Sequence, residues 1–210
     1  MTSYLDTISR RLEIAVECGA SEVSLKANVI SGRWCSTPKV VTPTSPRSVV
    51  EDLLNSTESV SVHAFGKVAT DFTRRYGALA LPYRPNEKFS FSLSDWIRDQ
   101  KQMESVWHIL SGQSHAPSAR TRVFMSEGER FEITAGHLSF RTVYLQTYAY
   151  LEMAAVPKRR LCVCANRLAG CKTPFFIAKD LRSKYCSDIC AAEGEKASKL
   201  RWWNDNRKEQ

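Results

Sequence analysis

The sequence predicts an α+β fold: a mixed helical and hairpin body over residues 1–157, followed by a small cysteine-rich module over 158–210. Three observations lead there. Apolar residues alternate near both ends of the body, helical spacing fills its middle, and five of the seven cysteines fall between Cys162 and Cys190.

The elements follow in order. Leu12, Ile14, Val16 and Cys18 alternate with polar or small residues, and Val23, Leu25, Ala27 and Val29 do so again. Period two on both sides of Gly19-Ala20-Ser21 predicts a hairpin that turns there and buries one face. Ser36 to Arg47 holds three prolines among Thr and Ser, which reads as a surface connection. A helix is expected to start at Pro46 or Ser48 and run through Val49, Val50, Leu53 and Leu54. Val62, Phe65, Val68 (or Ala69) and Phe72 predict a second helix over Glu58–Tyr76, ended by Gly77. Pro82 and Pro85 hold an irregular segment. Ser94-Asp95-Trp96 marks a helix start, with Trp96, Met103, Val106, Trp107 and Leu110 as its apolar stripe until Gly112. Residues 113–120 read as a loop, and Arg122 to Thr134 as a second hairpin turning at Glu127-Gly128. A last helix is expected over Ser139–Ala155, carrying Phe140, Val143, Tyr144, Tyr148 (or Thr147) and Leu151, with Pro157 beyond its end.

Composition narrows the function. No run is long and apolar enough to cross a bilayer; the most apolar stretch, Val143 to Val156, is interrupted by Gln146 and Glu152. The first residues show neither a basic nor an apolar leader region, so a cytoplasmic protein with reduced thiols and no membrane partner is expected. Clustered cysteines in such a chain read first as a metal site. Their frame is Cys164-x6-Cys171-x14-Cys186-x3-Cys190, two pairs on two turns, which suits one tetrahedral Zn²⁺. Gly170 lets the backbone bend before Cys171, and Ser187 is the expected N-cap of a helix that begins at the second pair. Cys162 is the competitor to Cys164. Its flanks, Leu161 and Val163, read as the buried face of a strand, so Cys164 is preferred as ligand. Four thiolates leave no open coordination position, which makes the ion structural.

The run Cys164-Ala-Asn, Gly170-Cys171-Lys-Thr-Pro-Phe175 and Arg182-Ser-Lys-Tyr185-Cys186-Ser-Asp-Ile-Cys190 resembles the treble-clef-like zinc fingers at the C-termini of many bacterial proteins, including the CGNR zinc-finger family. The resemblance is to the ligand frame: where that family reads Cys-Gly-Asn-Arg, this chain has Cys190-Ala191-Ala192-Glu193. Phe72-Thr-Arg-Arg-Tyr76-Gly77 and Val143-Tyr144-Leu145-Gln146 are similar to segments that precede such fingers. The resemblance implies a bacterial DNA-binding regulator.

Charge points the same way. Residues 158–210 carry 13 Lys and Arg against 6 Asp and Glu, a net of +7, whereas 1–157 carries 17 against 16, a net of +1. Four thiolates on one Zn²⁺ would leave the module at about +5. A basic module on a neutral body suits a polyanion, with DNA favoured over RNA. The candidate phosphate contacts are Lys158, Arg159, Arg160, Arg182, Lys184, Lys196, Lys199, Arg201 and Arg207. On the C-terminal helix, Lys196, Lys199, Leu200, Trp203 and Arg207 share one face, and Trp203 is expected to pack on its own domain more readily than to stack on a base. The body is expected to sense a signal or form a homodimer. A rival reading makes the finger a folding staple for a protein-interaction adaptor, with Tyr185, Trp202 and Trp203 as the partner surface. No catalytic frame is evident: His63, His108, His115 and His137 are scattered, and no phosphate loop or nucleophile elbow is present, so an enzyme is not expected.

Overall fold

The computed structural model describes residues 12–42, 48–58, 60–61, 64–112, 130–134, 137–142, 144–156 and 160–207. Its elements run β1 (Leu12–Lys26), β2 (Val29–Val41), α1 (Val49–Thr57), α2 (Phe65–Tyr76), β3 (Lys88–Ser92), α3 (Leu93–Leu110), β4 (Arg130–Thr134), β5 (His137–Thr142), α4 (Leu145–Ala155), β6 (Leu161–Val163), β7 (Phe175–Ile177) and α5 (Asp188–Arg207). The fold is α+β. Five strands form one sheet in the order β3-β2-β1-β5-β4, and β6 and β7 form a separate pair. Only β1 and β5 are parallel neighbours in the larger sheet.

The first hairpin differs from expectation. Gly19 does not turn the chain; at φ 115° it sits opposite a bulge, where residues 35–38 of β2 face it alone. The turn comes at Ala27-Asn28, both at positive φ, so β1 is one strand of 15 residues. The first half of the predicted Pro-rich connection, through Val41, is likewise β2, with Pro38 inside the bulge, where no ladder donor is required. A second irregularity, between Ser21 and Ser24, moves the buried register from Val16, Cys18 and Ala20 to Val23.

The helices follow their caps. Ser48 accepts from Glu51 N–H at 3.2 Å and starts α1, whose buried face is Val49, Val50, Leu53, Leu54 and Thr57. The second helix begins at Phe65, later than the apolar spacing indicated, and ends before Gly77. What was read as irregular contains β3, and Ser92, not Ser94, caps α3 by accepting from Asp95 N–H at 3.0 Å. Along α3, Trp96, Asp99, Gln100, Met103 and Trp107 form the buried stripe, and Gln100 reaches Thr57 Oγ1 of α1 at 2.9 Å. The second hairpin is β4–β5, pairing 130–134 with 137–142; the expected turn at 127–128 lies outside the described residues. Its return strand takes positions 139–142 that were assigned to the last helix, which therefore starts at Leu145. Phe140 fits both the alternation Leu138, Phe140, Thr142 and the helical spacing to Val143 and Tyr144, and the pairing of β5 with β1 decides it.

The core lies between sheet and helices: Val16, Cys18, Ile30 and Trp34 meet Leu53, Leu54, Ala69, Phe72, Trp96, Met103, Tyr148 and Met153. Leu161 and Phe175 of the β6–β7 pair belong to this same cluster. The cysteine module is thus fastened to the body through its own small sheet. Among the described residues no helix is long and apolar enough to cross a membrane.

Candidate metal centre and the basic groove beside it

The β6–β7 pair fixes the first half of the centre. Cys164 follows β6 and donates its N–H to Pro174 O at 2.7 Å, while Asn166 O accepts from Cys171 N–H at 3.2 Å. Gly170 adopts a left-handed conformation (φ 97°, ψ 21°) after the short 3-10 turn Arg167–Ala169, which swings Cys171 back toward Cys164. The second half comes from the start of α5. Ser187 Oγ accepts from Cys190 N–H at 3.3 Å, placing Cys186 just ahead of the helix and Cys190 in its first turn. Asn166 Nδ2 donates to Cys190 O and ties the halves together.

The sulfurs of Cys164, Cys171, Cys186 and Cys190 all lie within 4.8 Å of one another. Three of the separations are 3.4 Å (Cys171–Cys186), 3.6 Å (Cys186–Cys190) and 3.7 Å (Cys171–Cys190). A tetrahedron with metal–sulfur bonds of about 2.3 Å has edges of about 3.8 Å, so the four could hold one ion. Burial raises the Cys171 thiol, and its contact with Cys186 adds to this. Burial also opposes ionisation of Cys186, but its hydrogen bonds with Cys171 and Cys190 outweigh it and bring that thiol below its ordinary range. Cys162 stands apart from the four. It pairs with Phe176 in the β6–β7 ladder, and its carbonyl accepts from Trp107 Nε1 at 3.2 Å.

The docking of the module uses side chains that no sequence pattern singled out. Asn55 on α1 acts as a strand partner for Phe175, donating to its carbonyl at 2.8 Å and accepting from its N–H at 2.9 Å. Glu51 Oε1 accepts from Ile177 N–H at 2.6 Å. One face of α1 therefore covers the free edge of β7, which a lone two-stranded sheet could not leave open cheaply. Arg167 is clamped by Glu58 (2.8 and 3.0 Å) and Glu104 (2.9 Å), with its guanidinium 4.8 Å over the Phe175 ring. That cation serves docking and is not offered to a ligand.

Between α1, β7 and the loop leading to α5 lies an open groove of about 750 Å³. Three cations, Lys179, Arg182 and Lys184, and two acids, Glu51 and Asp188, line it, together with Phe176, Tyr185 and the candidate ligand Cys186. Among the described residues Lys179, Arg182 and Lys184 enter no salt bridge. Gly194 of α5 meets the Tyr185 ring so closely that an added Cβ would sit 2.2 Å from its hydroxyl. Any side chain there would push the loop off the helix.

The predicted phosphate contacts divide. Arg182 and Lys184 come together in the groove, with Lys179, which the sequence reading passed over. Arg160 is half-buried beside Ala178, whose N–H it accepts at 2.7 Å. Lys196, Lys199, Arg201 and Arg207 are exposed along a helix about 30 Å long. Lys158 and Arg159 lie outside the described residues, as do His63 and His115. The charge divides as well: residues 158–187 hold eight Lys and Arg against one acid, while 188–210 hold five against five. The excess belongs to the loops, and α5 is not a basic helix. Trp203 does not pack on its domain: Leu200, Trp202 and Trp203 are 62, 60 and 59 % exposed, and the two indoles meet edge to face at 5.6 Å. His108, far from any metal-ligand frame, lies 3.3 Å from Arg167 and 3.6 Å from Glu104. No family model, curated protein or solved structure matches this chain.

Proposed function

We propose that the four sulfurs hold one structural zinc ion, and that the loop surface they brace binds nucleic acid, DNA in preference to RNA, in a bacterial-type transcriptional regulator. Four soft thiolates in a closed tetrahedral arrangement favour zinc and leave no position for a substrate. The observation that carries the binding reading is the placement of charge. Lys179, Arg182 and Lys184 share one groove, free of ion pairs among the described residues, in a segment with seven more cations than anions. Such a surface neutralises phosphates and releases their counterions. The likeness of the ligand frame to the CGNR-type fingers favours DNA and a regulatory role.

Two measurements on the purified full chain test this. Metal analysis should return one zinc per chain. Fluorescence anisotropy with duplex DNA and with RNA, at two salt concentrations, should show binding that weakens steeply with salt and is tighter for DNA. Binding that ignores salt, or no binding, removes the reading.

A second reading rests on one observation, the exposed Leu200, Trp202 and Trp203. In it α5 docks on another protein and the zinc is a folding staple. Charge reversal at Lys179, Arg182 and Lys184 weakens nucleic-acid binding about a hundred-fold under the first reading and leaves protein docking unchanged under the second.

A further inference from the structure

A second cavity lies in the body, away from the cysteines. It has a volume of about 160 Å³ and sits between residues 79–81, Phe91 of β3 and the first two turns of α3. Leu79, Leu81, Phe91 and Trp96 give it apolar walls. Asp95, Arg98 and Asp99 supply its charge, two acids against one cation.

Two features set it apart from a packing void, which is ordinarily lined by apolar groups alone. Trp96 is 1 % exposed, yet its indole N–H finds no acceptor among the described residues. Asp99 is 6 % exposed, and its carboxylate is poorly matched. Arg98 gives its short contact, 2.7 Å, to Asp95 and reaches Asp99 only at 3.4 Å. Burial accordingly holds Asp99 above the ordinary carboxylate range in spite of Arg98. A buried acid whose cation is shared with Asp95 and stands at 3.4 Å, beside a flat aromatic wall, favours a positively charged occupant.

We propose that this cavity binds a small organic amine, its ammonium on Asp99 and its apolar body against Trp96, Phe91 and the leucines. A cavity of about this size takes benzene, which sets the scale of the ligand at one ring or a short branched chain. The surplus acid excludes carboxylates, so free amino acids do not fit. The site is independent of the nucleic-acid reading, since none of its residues touches the cysteine module's groove.

Benzylamine, benzyl alcohol and benzoate share a ring and differ in charge. Titrated into the zinc-loaded full chain at neutral pH, with tryptophan fluorescence and calorimetry as readouts, benzylamine should bind with a Kd of about 1 mM, the affinity expected of so small a ligand. Benzyl alcohol should bind about ten-fold more weakly for want of the charged hydrogen bond. Benzoate should not bind. Asp99→Asn should bring benzylamine down to the affinity of the alcohol. If that variant fails to fold, the three ligands on the unaltered chain decide the matter alone. Equal binding of amine and alcohol, or no saturable binding of the amine, overturns the proposal and leaves a cavity that holds water only.

Discussion

Residues 160–187 supply three sulfurs to the candidate centre and residues 188–207 supply one, yet the two segments meet the rest of the molecule in opposite ways. The first segment is fastened down: β7 lies under Asn55 and Glu51, Arg167 is clamped by two glutamates, and Phe175 enters the body core. The second leaves that contact after two turns, at Gly194, and from Glu195 to Arg207 every residue is exposed. Charge follows the same division, with all the module's excess before Asp188. A basic surface binds well only if its cations need not be ordered on binding, because ordering long side chains and loops subtracts from affinity. Under the proposed reading, the braced loops, and not the long helix, are the part that holds phosphates in place.

The strongest way to break this comparison is to take the metal away. Chelation, or Cys190→Ser, should release both segments and lower the melting temperature by about 10 °C or more, since each lost kcal/mol shifts a protein of this size by about 2–4 °C and a structural zinc contributes several. Cys162→Ser should leave metal content unchanged. Calorimetry with metal analysis reads both outcomes.

Charge reversal separates the halves directly. Lys179→Glu with Arg182→Glu and Lys184→Glu should weaken DNA binding about a hundred-fold and flatten the log–log salt slope by about 2.7, three phosphates at about 0.9 each. Reversing Lys196 and Lys199 should cost less than about ten-fold. Should the helix pair matter more, the division of labour is the reverse of the one drawn here.

The platform beneath β7 carries a pH dependence. Glu152 is buried on α4 and accepts from Val50 N–H, in the first turn of α1, at 3.3 Å. Burial pushes its carboxyl up to about 7 from an ordinary 4.5. The folded state therefore binds the extra proton between those values, so stability falls as pH rises from about 5 to about 7 and the full cost stands above that. A displacement of this size corresponds to about 3 kcal/mol at most. Glu152→Gln keeps an acceptor for Val50, so its unfolding free energy should be flat across that window and higher than the parent's at pH 8. Denaturant titrations at several pH values check the sign.

A smaller effect tests how the two segments touch. Gly194→Ala should lower stability by about 1 kcal/mol net, the clash with Tyr185 outweighing the better helix propensity of alanine. In a Tyr185→Ala background the same substitution should raise stability by about 1 kcal/mol. Thermal denaturation of the four proteins closes that cycle.

Much of this was legible in the residues, for reasons that differ by element. The cysteine frame could be read because ligand spacing is a local property of two turns, and Ser48 and Ser187 declare their caps within three residues. The first hairpin was misread because Gly19 is the conspicuous turn former, while the actual turn uses Ala27 and Asn28. Positive φ at alanine leaves no mark in a sequence. Positions 139–142 of β5 were taken into a helix because Phe140 fits both periods until a partner strand is known. The docking of the module was invisible, since Asn55 and Phe175 lie 120 positions apart and neither belongs to a motif. The basic helix was the plainest overreading: net charge was counted over the whole module, and only the fold showed which half is braced.

The salt dependence of DNA binding by the zinc-loaded full chain tests the central claim most directly. With about five phosphates neutralised, Lys179, Arg182 and Lys184 among their partners, log K against log salt concentration should fall with a slope near −4.5. A slope near zero, from a chain that carries its zinc, would contradict the account.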